Sequence, residues 1–237
     1  MNYGTLYMIP CPISDETAPW EVLPAANRAV MDSLDYFIVE NTRSARRFLS
    51  RAGVSRPIEE LEFRELNEHT LAGREVEELV APLLAGRSAG VISEAGVPGV
   101  ADPGALVVEA CHRKGIRVVP LVGPSSIILA MMASGLNGQS FAFNGYLPVK
   151  PPERARAIRF FERRAHGEGQ SQAFIEAPYR NGKLLEQLLQ TLAAETRLTV
   201  AVDLTAPSQS VITRRVGEWR RSPLPELNKR PAIFIIG

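Results

Sequence analysis

Cysteine is almost absent from this chain. Cys11 and Cys111 are the two present in 237 residues, and neither has a partner at ligand spacing. A disulfide scaffold and a thiolate zinc site are therefore excluded, and the usage fits a reducing compartment. Histidine is as sparse. His69, His112 and His166 are scattered, so neither a metal cluster nor a helical histidine pair is expected. An excess of one charge is also missing, with Lys+Arg 27 against Asp+Glu 26. Nucleic-acid binding would have to rest on local basic patches rather than on a global field. No apolar run approaches the ~18 residues of a membrane helix, and residues 5–9 already form an apolar strand with no charged leader before it. Neither a membrane span nor a signal peptide is expected, and the expected compartment is the cytoplasm.

Familiar site signatures are lacking too. No G-x-G-x-x-G follows the first strand and no G-x-x-x-x-G-K occurs, which removes the usual dinucleotide and P-loop sites. Ser125 and Ser126 lack the G-x-S-x-G elbow of a hydrolase.

What the chain does have is one long irregular loop, Ser93-Glu94-Ala95-Gly96-Val97-Pro98-Gly99-Val100-Ala101-Asp102-Pro103-Gly104. It follows the apolar run at residues 89–92 and precedes helical spacing at 105–114. Three glycines and two prolines in twelve residues exclude a regular element. Such a loop lets backbone groups approach a ligand closely, and in open α/β sheets ligands bind just past the carboxyl ends of strands.

The rest of the first half alternates strand and helix. Strands are expected at 5–9, 36–39, 61–66, 89–92 and 117–122, with helices at 20–34, 45–52, 71–84, 105–114 and 127–133. This predicts a mostly parallel sheet covered on both faces. Pro10-Cys11-Pro12 makes a stiff exit from the first strand. Glu40-Asn41-Thr42-Arg43 ends the second, where Thr42 reads either as a functional group or as a helix cap. Ser125 and Ser126 open a helix after a strand, suiting either an N-cap or a polar ligand at the positive dipole end.

From about residue 137 a second set of elements begins. Strands are expected at 141–144, 172–176, 198–203, 210–216 and 232–236, with helices at 153–165 and 183–192. The late strands, separated by short breaks, suggest an antiparallel portion. The expected architecture is an α/β fold of two lobes, 1–122 and 123–237, with a mostly parallel sheet, a mixed sheet and a cleft between them.

Taken together, the strand-end motifs resemble the tetrapyrrole methylase family of S-adenosylmethionine-dependent methyltransferases. The matching pieces are Tyr7-Met8-Ile9-Pro10-Cys11-Pro12-Ile13, Glu40-Asn41-Thr42-Arg43 and Ser93 to Pro98 with Asp102-Pro103-Gly104. They continue with Val122-Gly123-Pro124-Ser125-Ser126, Ala133-Ser134-Gly135-Leu136, Asn144-Gly145-Tyr146-Leu147-Pro148 and Glu176-Ala177-Pro178-Tyr179-Arg180. Within the family the likeness is greatest to the group that methylates a cytidine ribose 2′-hydroxyl of small-subunit ribosomal RNA. The chain departs from that group at Ser14-Asp15 (usually Gly-Asn), at Asn41 and Glu94 (usually Asp), and at Glu65-Leu66-Asn67-Glu68 (usually His-rich). It departs again at Lys229-Arg230-Pro231, where Lys-Gly-Glu is usual.

The resemblance implies S-adenosylmethionine folded in the interlobe cleft. Its contacts would be Pro10, Glu94, Ala95, Gly96, Val97, Ser125 and Ser126 from the first lobe, and Ala177, Asp203, Leu204, Pro231 and Ala232 from the second. No metal is implied. A ribosomal RNA acceptor and a homodimer are expected. A ribose hydroxyl is a poor nucleophile near neutral pH, so Glu40 as base and Arg43 as cation are the catalytic candidates, against a structural ion pair between the two. Arg43, Arg46 and Arg47, and separately Arg156, Arg159 and Arg163, are either phosphate contacts or solvated faces. A precorrin-like tetrapyrrole acceptor and a non-catalytic donor-binding assembly protein are the competing readings.

Overall fold

The computed structural model describes residues 2–66 and 73–237. It divides into two compact units, Met1–Ser125 and Ser126–Gly237.

The first unit runs β1 (Thr5–Met8), α1 (Pro19–Val22), α2 (Ala26–Ser33), β2 (Tyr36–Val39) and α3 (Thr42–Ala52). A 3₁₀ turn at Ile58–Glu60 leads to β3 (Glu62–Glu65), α4 (Arg74–Leu84), β4 (Ala89–Ile92), α5 (Gly104–Lys114) and β5 (Arg117–Pro120). Among the described residues the strands form one sheet of order β3-β2-β4-β1-β5, with every pairing parallel. Both faces are covered, which is why Tyr-Phe-Ile-Val and Ala-Gly-Val-Ile are buried throughout rather than alternating. Leu6, Met8, Tyr36, Ile38 and Val91 pack with α4 and α5 on one face, while Ile9, Phe37, Val39 and Ile92 pack with α2 and α3 on the other. The parallel sheet expected from the strand–helix alternation is present.

Several boundaries differ from expectation: α3 already starts at Thr42, β5 stops at Pro120, and the helix expected over 153–165 runs from Pro151 to Glu168. The single helix expected over 20–34 is two short ones, because Pro24 forces Leu23 into an extended conformation (φ −104°, ψ 137°) and α1 ends at Val22. The start of the helix expected at residue 71 lies outside the described residues; α4 begins at Arg74 after Gly73.

The second unit contains α6 (Ser126–Ser134), β6 (Phe141–Tyr146), α7 (Pro151–Glu168) and β7 (Ser171–Ile175). A 3₁₀ turn at Pro178–Arg180 precedes α8 (Asn181–Thr191), β8 (Arg197–Val202), β9 (Ser210–Arg215), α9 (Val216–Trp219) and β10 (Ala232–Ile236). The sheet order is β6-β7-β10-β8-β9; β6 and β7 are parallel, and the remaining pairings are antiparallel. A mixed sheet therefore replaces the parallel one, as the late strands suggested. Phe174, Val200, Phe234 and Trp219 pack with α7 and α8 on one face, and α6 covers the other through Ala130 and Met131.

Gly90 sits on the central strand β4, where an added Cβ would lie 2.5 Å from the Ile9 Cδ1 and 3.0 Å from the Phe37 ring. Gly90→Val is therefore expected to lower stability by about 1–3 kcal/mol through overpacking. The measurement is the urea midpoint of unfolding.

Candidate functional site

Four strands of the parallel sheet end together. Ile9 donates its N–H to the Val91 carbonyl at 2.9 Å, Leu121 to Met8 at 2.9 Å, and Glu40 to Ile92 at 3.2 Å, so the exits of β1, β2, β4 and β5 lie side by side. The first and third exits are bound directly to each other. Cys11 donates to the Gly96 carbonyl at 2.9 Å, and Gly96 donates back to Cys11 at 3.2 Å. Gly96 is needed there: it holds φ 71°, and a Cβ would come within 3.3 Å of the Pro124 carbonyl oxygen. Beside it Gly123 lies against Pro10, where a Cβ would stand 2.4 Å from the ring. Pro10, Gly96, Gly123 and Pro124 thus form a close-packed backbone floor.

The Cys11 thiol donates to the Ser93 carbonyl at 3.2 Å, and burial pushes it up to about 12. The thiol is buried, and the shift disfavours the nucleophilic thiolate. Farther along the loop, Asp102 accepts the N–H groups of Gly99 at 2.8 Å and Gly104 at 2.6 Å, pinning the segment that leads into α5. Burial raises its carboxyl above the usual range despite those two bonds.

Glu94 and Ala95 are exposed, Gly96 is buried and Val97 is half-buried. Among the described residues no acceptor takes the N–H of Ala95 or Val97. A loop with open backbone donors beside a glycine–proline floor suits the carboxylate of an amino-acid-like ligand.

At the exit of β2, Glu40 accepts the Glu94 N–H at 3.1 Å and Glu94 accepts the Ser44 hydroxyl at 3.3 Å. Asn41 caps α3 by accepting the Ser44 N–H at 3.1 Å. The cap thus falls on Asn41, not on Thr42, which is the first helical residue and donates its N–H to Glu65 at 3.1 Å. Arg43 is exposed in the first turn of α3 and makes no ion pair among the described residues. The Glu40–Arg43 ion pair weighed from sequence is not formed.

Ser125 is the last residue of the first unit, and Ser126 opens the second as the first residue of α6; both are half-buried. The other candidates gather at one end of the mixed sheet. Asp203 donates its N–H to the Pro231 carbonyl at 3.0 Å, Ala232 pairs with Val202, and Ala177 follows β7, whose Ile175 pairs with Ile233. Leu204 is buried. Asp203 holds a left-handed φ of 49°, and its carboxylate accepts Arg230 Nε at 2.7 Å and the Ser208 hydroxyl at 2.8 Å. Its side chain is committed within the unit. Ala177 donates its N–H to Glu176 Oε1 at 2.7 Å, and the same carboxylate accepts Arg180 at 2.7 Å.

Sequence reasoning missed the supporting roles of Asp102, Glu176 and Arg230. A carboxylate two residues before a glycine in an irregular loop was the available signal for Asp102. Glu176 reaches Ala177 and Arg180, one and four residues on, which is a local relation, whereas the pairing of Arg230 with Asp203 is set by the fold.

The family model for Tetrapyrrole (Corrin/Porphyrin) Methylases matches residues 20–219. The chain is 32% identical to a protein of Xylella fastidiosa (strain Temecula1 / ATCC 700964) called ribosomal RNA small subunit methyltransferase I, over 98% of this chain and 80% of that one. It is 31% identical to the protein of the same name from Escherichia coli O157:H7, over 99% and 77%. Among solved structures it resembles the methyltransferase CobJ, with a TM-score of 0.64 at 18% identity, covering 100% of this chain and 94% of that one. The uroporphyrin-III-C-methyltransferase of Thermus thermophilus gives 0.54 at 19%, covering 99% and 92%. At these identities the two structures bear on the fold alone.

Asp102 supports a pH test. Its raised carboxyl pKa means that native stability is lost as pH rises through the folded pKa, because ionisation is disfavoured in the folded state. Asp102→Asn keeps an acceptor oxygen without the charge, so it should gain in melting temperature relative to wild type as pH rises from about 3 to 7. Asp102→Ala leaves two N–H groups unpaired and should cost about 1–3 kcal/mol.

Proposed function

The chain belongs to the tetrapyrrole methylase family and is a methyltransferase, and on that footing we propose that it transfers the methyl of S-adenosylmethionine to the 2′-hydroxyl of a cytidine in small-subunit ribosomal RNA. The observation that carries the acceptor is the 32% identity to a protein named as a ribosomal RNA methyltransferase, sustained over 98% of the chain. A precorrin-like acceptor is the second reading, since the structural likenesses at 18–19% identity speak to the fold and not to the acceptor. Asn41 and Glu94, the departures that left a non-catalytic role open, have local roles as helix cap and Ser44 acceptor.

S-adenosylmethionine supplies a sulfonium methyl that needs no further activation, so the protein's task is alignment. The Ala95 and Val97 N–H groups would hold the carboxylate of the donor's amino-acid end, with Pro10 and Gly96 beside them. Glu94, Ser125 and Ser126 belong to the same proposal, as do Ala177, Asp203, Leu204, Pro231 and Ala232 of the second unit. For the last five, main chain and apolar surface are the contact groups, since the Asp203 carboxylate is engaged by Arg230. Glu40 takes the proton from the ribose hydroxyl, and the exposed Arg43 guanidinium stabilises the developing alkoxide. The enzyme acts as a cytoplasmic homodimer.

S-adenosylhomocysteine should raise the melting temperature, equivalent to about 2.7 kcal/mol at a hundredfold excess over Kd. A shift with NAD or ATP in its place would overturn the donor assignment. Labelled donor and small ribosomal particles should yield methylated RNA, located by mass spectrometry as a 2′-O-methylcytidine. Glu40→Gln and Arg43→Gln should each lower turnover by roughly 10²-fold or more while donor binding is retained. Unchanged turnover in both would remove them from the chemistry.

A further inference from the structure

The two basic helical faces differ in what neutralises them. On α3, Arg46 pairs with Glu59 at 3.9 Å and Arg47 with Asp15 at 2.5 Å. On α7, Arg156, Arg159 and Arg163 are all exposed, and among the described residues none makes an ion pair. Other arginines of the same helix are partnered: Arg164 bonds Glu168 at 3.0 Å, and the buried Arg154 faces Glu176 at 3.9 Å. Along α7, the unpaired charge is therefore confined to one stripe, whereas on α3 only Arg43 lacks an ion pair among the described residues.

Nearby carboxylates do not relieve it. Glu153, three residues before Arg156, faces Lys150 at 3.6 Å. Glu162, three residues after Arg159, accepts the Ala193 N–H at 2.7 Å and the Thr196 hydroxyl at 2.5 Å. What remains beside each arginine on the stripe is another arginine, at the spacings of three and four where like charges repel. The opposite face is buried through Ile158 and Ala165, so the stripe points to solvent.

An aromatic ring completes it. Phe160 follows Arg156 by four residues, shares its face, and is 49% exposed. Arg156, Arg159, Phe160 and Arg163 extend over about 10 Å of helix. Cations with no protein counter-ion, alternating with an exposed ring, match a strand that presents phosphates and bases together.

We propose that this face of α7 is an RNA-docking surface, in which the three arginines contact successive phosphates of the ribosomal RNA and Phe160 stacks on an unpaired base. The proposal rests on the RNA-acceptor reading above, and it adds where the acceptor is held.

The test uses full-length protein, deproteinised small-subunit ribosomal RNA as probe, and binding at several salt concentrations. Replacing Arg156, Arg159 and Arg163 together by Gln should flatten the log–log salt slope by roughly two units, at about 0.7 per lost phosphate contact. Phe160→Ala should weaken binding roughly five- to a hundredfold while leaving the slope unchanged. Donor-induced thermal stabilisation should be the same in all variants, which also verifies folding. An unaltered slope in the triple variant, with wild type still methylating the RNA, would overturn the docking surface and leave the acceptor reading intact. Wild type that neither binds nor methylates the RNA would overturn the acceptor reading, and the docking surface with it. Loss of binding to phosphatidylglycerol vesicles with RNA binding unchanged would assign the stripe to a membrane surface instead.

Discussion

Two backbone hydrogen bonds between Cys11 and Gly96 tie the exit of β1 to the exit of β4, and the geometry of the candidate site depends on that tie. A parallel sheet delivers its strand ends to one edge, but it does not by itself order the loops that follow. Here the tie succeeds because Gly96 can hold a positive φ against the Pro124 carbonyl and because Gly123 leaves room for Pro10. Side chains are excluded from this floor by contact distance. The result is a close-packed surface, next to which the Ala95 and Val97 N–H groups have no acceptor among the described residues.

The polar groups around that floor divide into those spent on structure and those left open. Asp102 is spent on two loop N–H groups, the Cys11 thiol on a carbonyl, and Asn41 on capping α3. Glu40 orders the loop through the Glu94 N–H, which is compatible with proton transfer because a carboxylate has further lone pairs to offer. Arg43, in the first turn of α3, makes no ion pair among the described residues. In the second unit the division is similar. Asp203 and Arg230 hold two loops together, and Glu176 binds Ala177 and Arg180. Glu176 is buried, and a buried charge held this way is costly to strip of its partner.

Much of this protein was determined by sequence alone: the parallel first sheet, the mixed second one, the irregular loop after β4 and the family to which its motifs point. Hydrophobic period, glycine–proline punctuation and helix stops such as Gly53, which closes α3 at a φ of 64°, act over a few residues, so they can be read without the fold. The helix expected over residues 20–34 failed for an equally local reason, since Pro24 lies within it. Tertiary structure decided the rest. That Cys11 would pair with Gly96 across 85 positions, that Arg230 would take the Asp203 carboxylate, and that Glu162 would turn to Thr196 and leave its arginine neighbours bare are matters of spatial partnership. A carboxylate or guanidinium reads the same in sequence whether its partner is protein, water or ligand. Only the folded chain, by placing distant groups within hydrogen-bond distance, settles which charges are consumed internally and which remain to act.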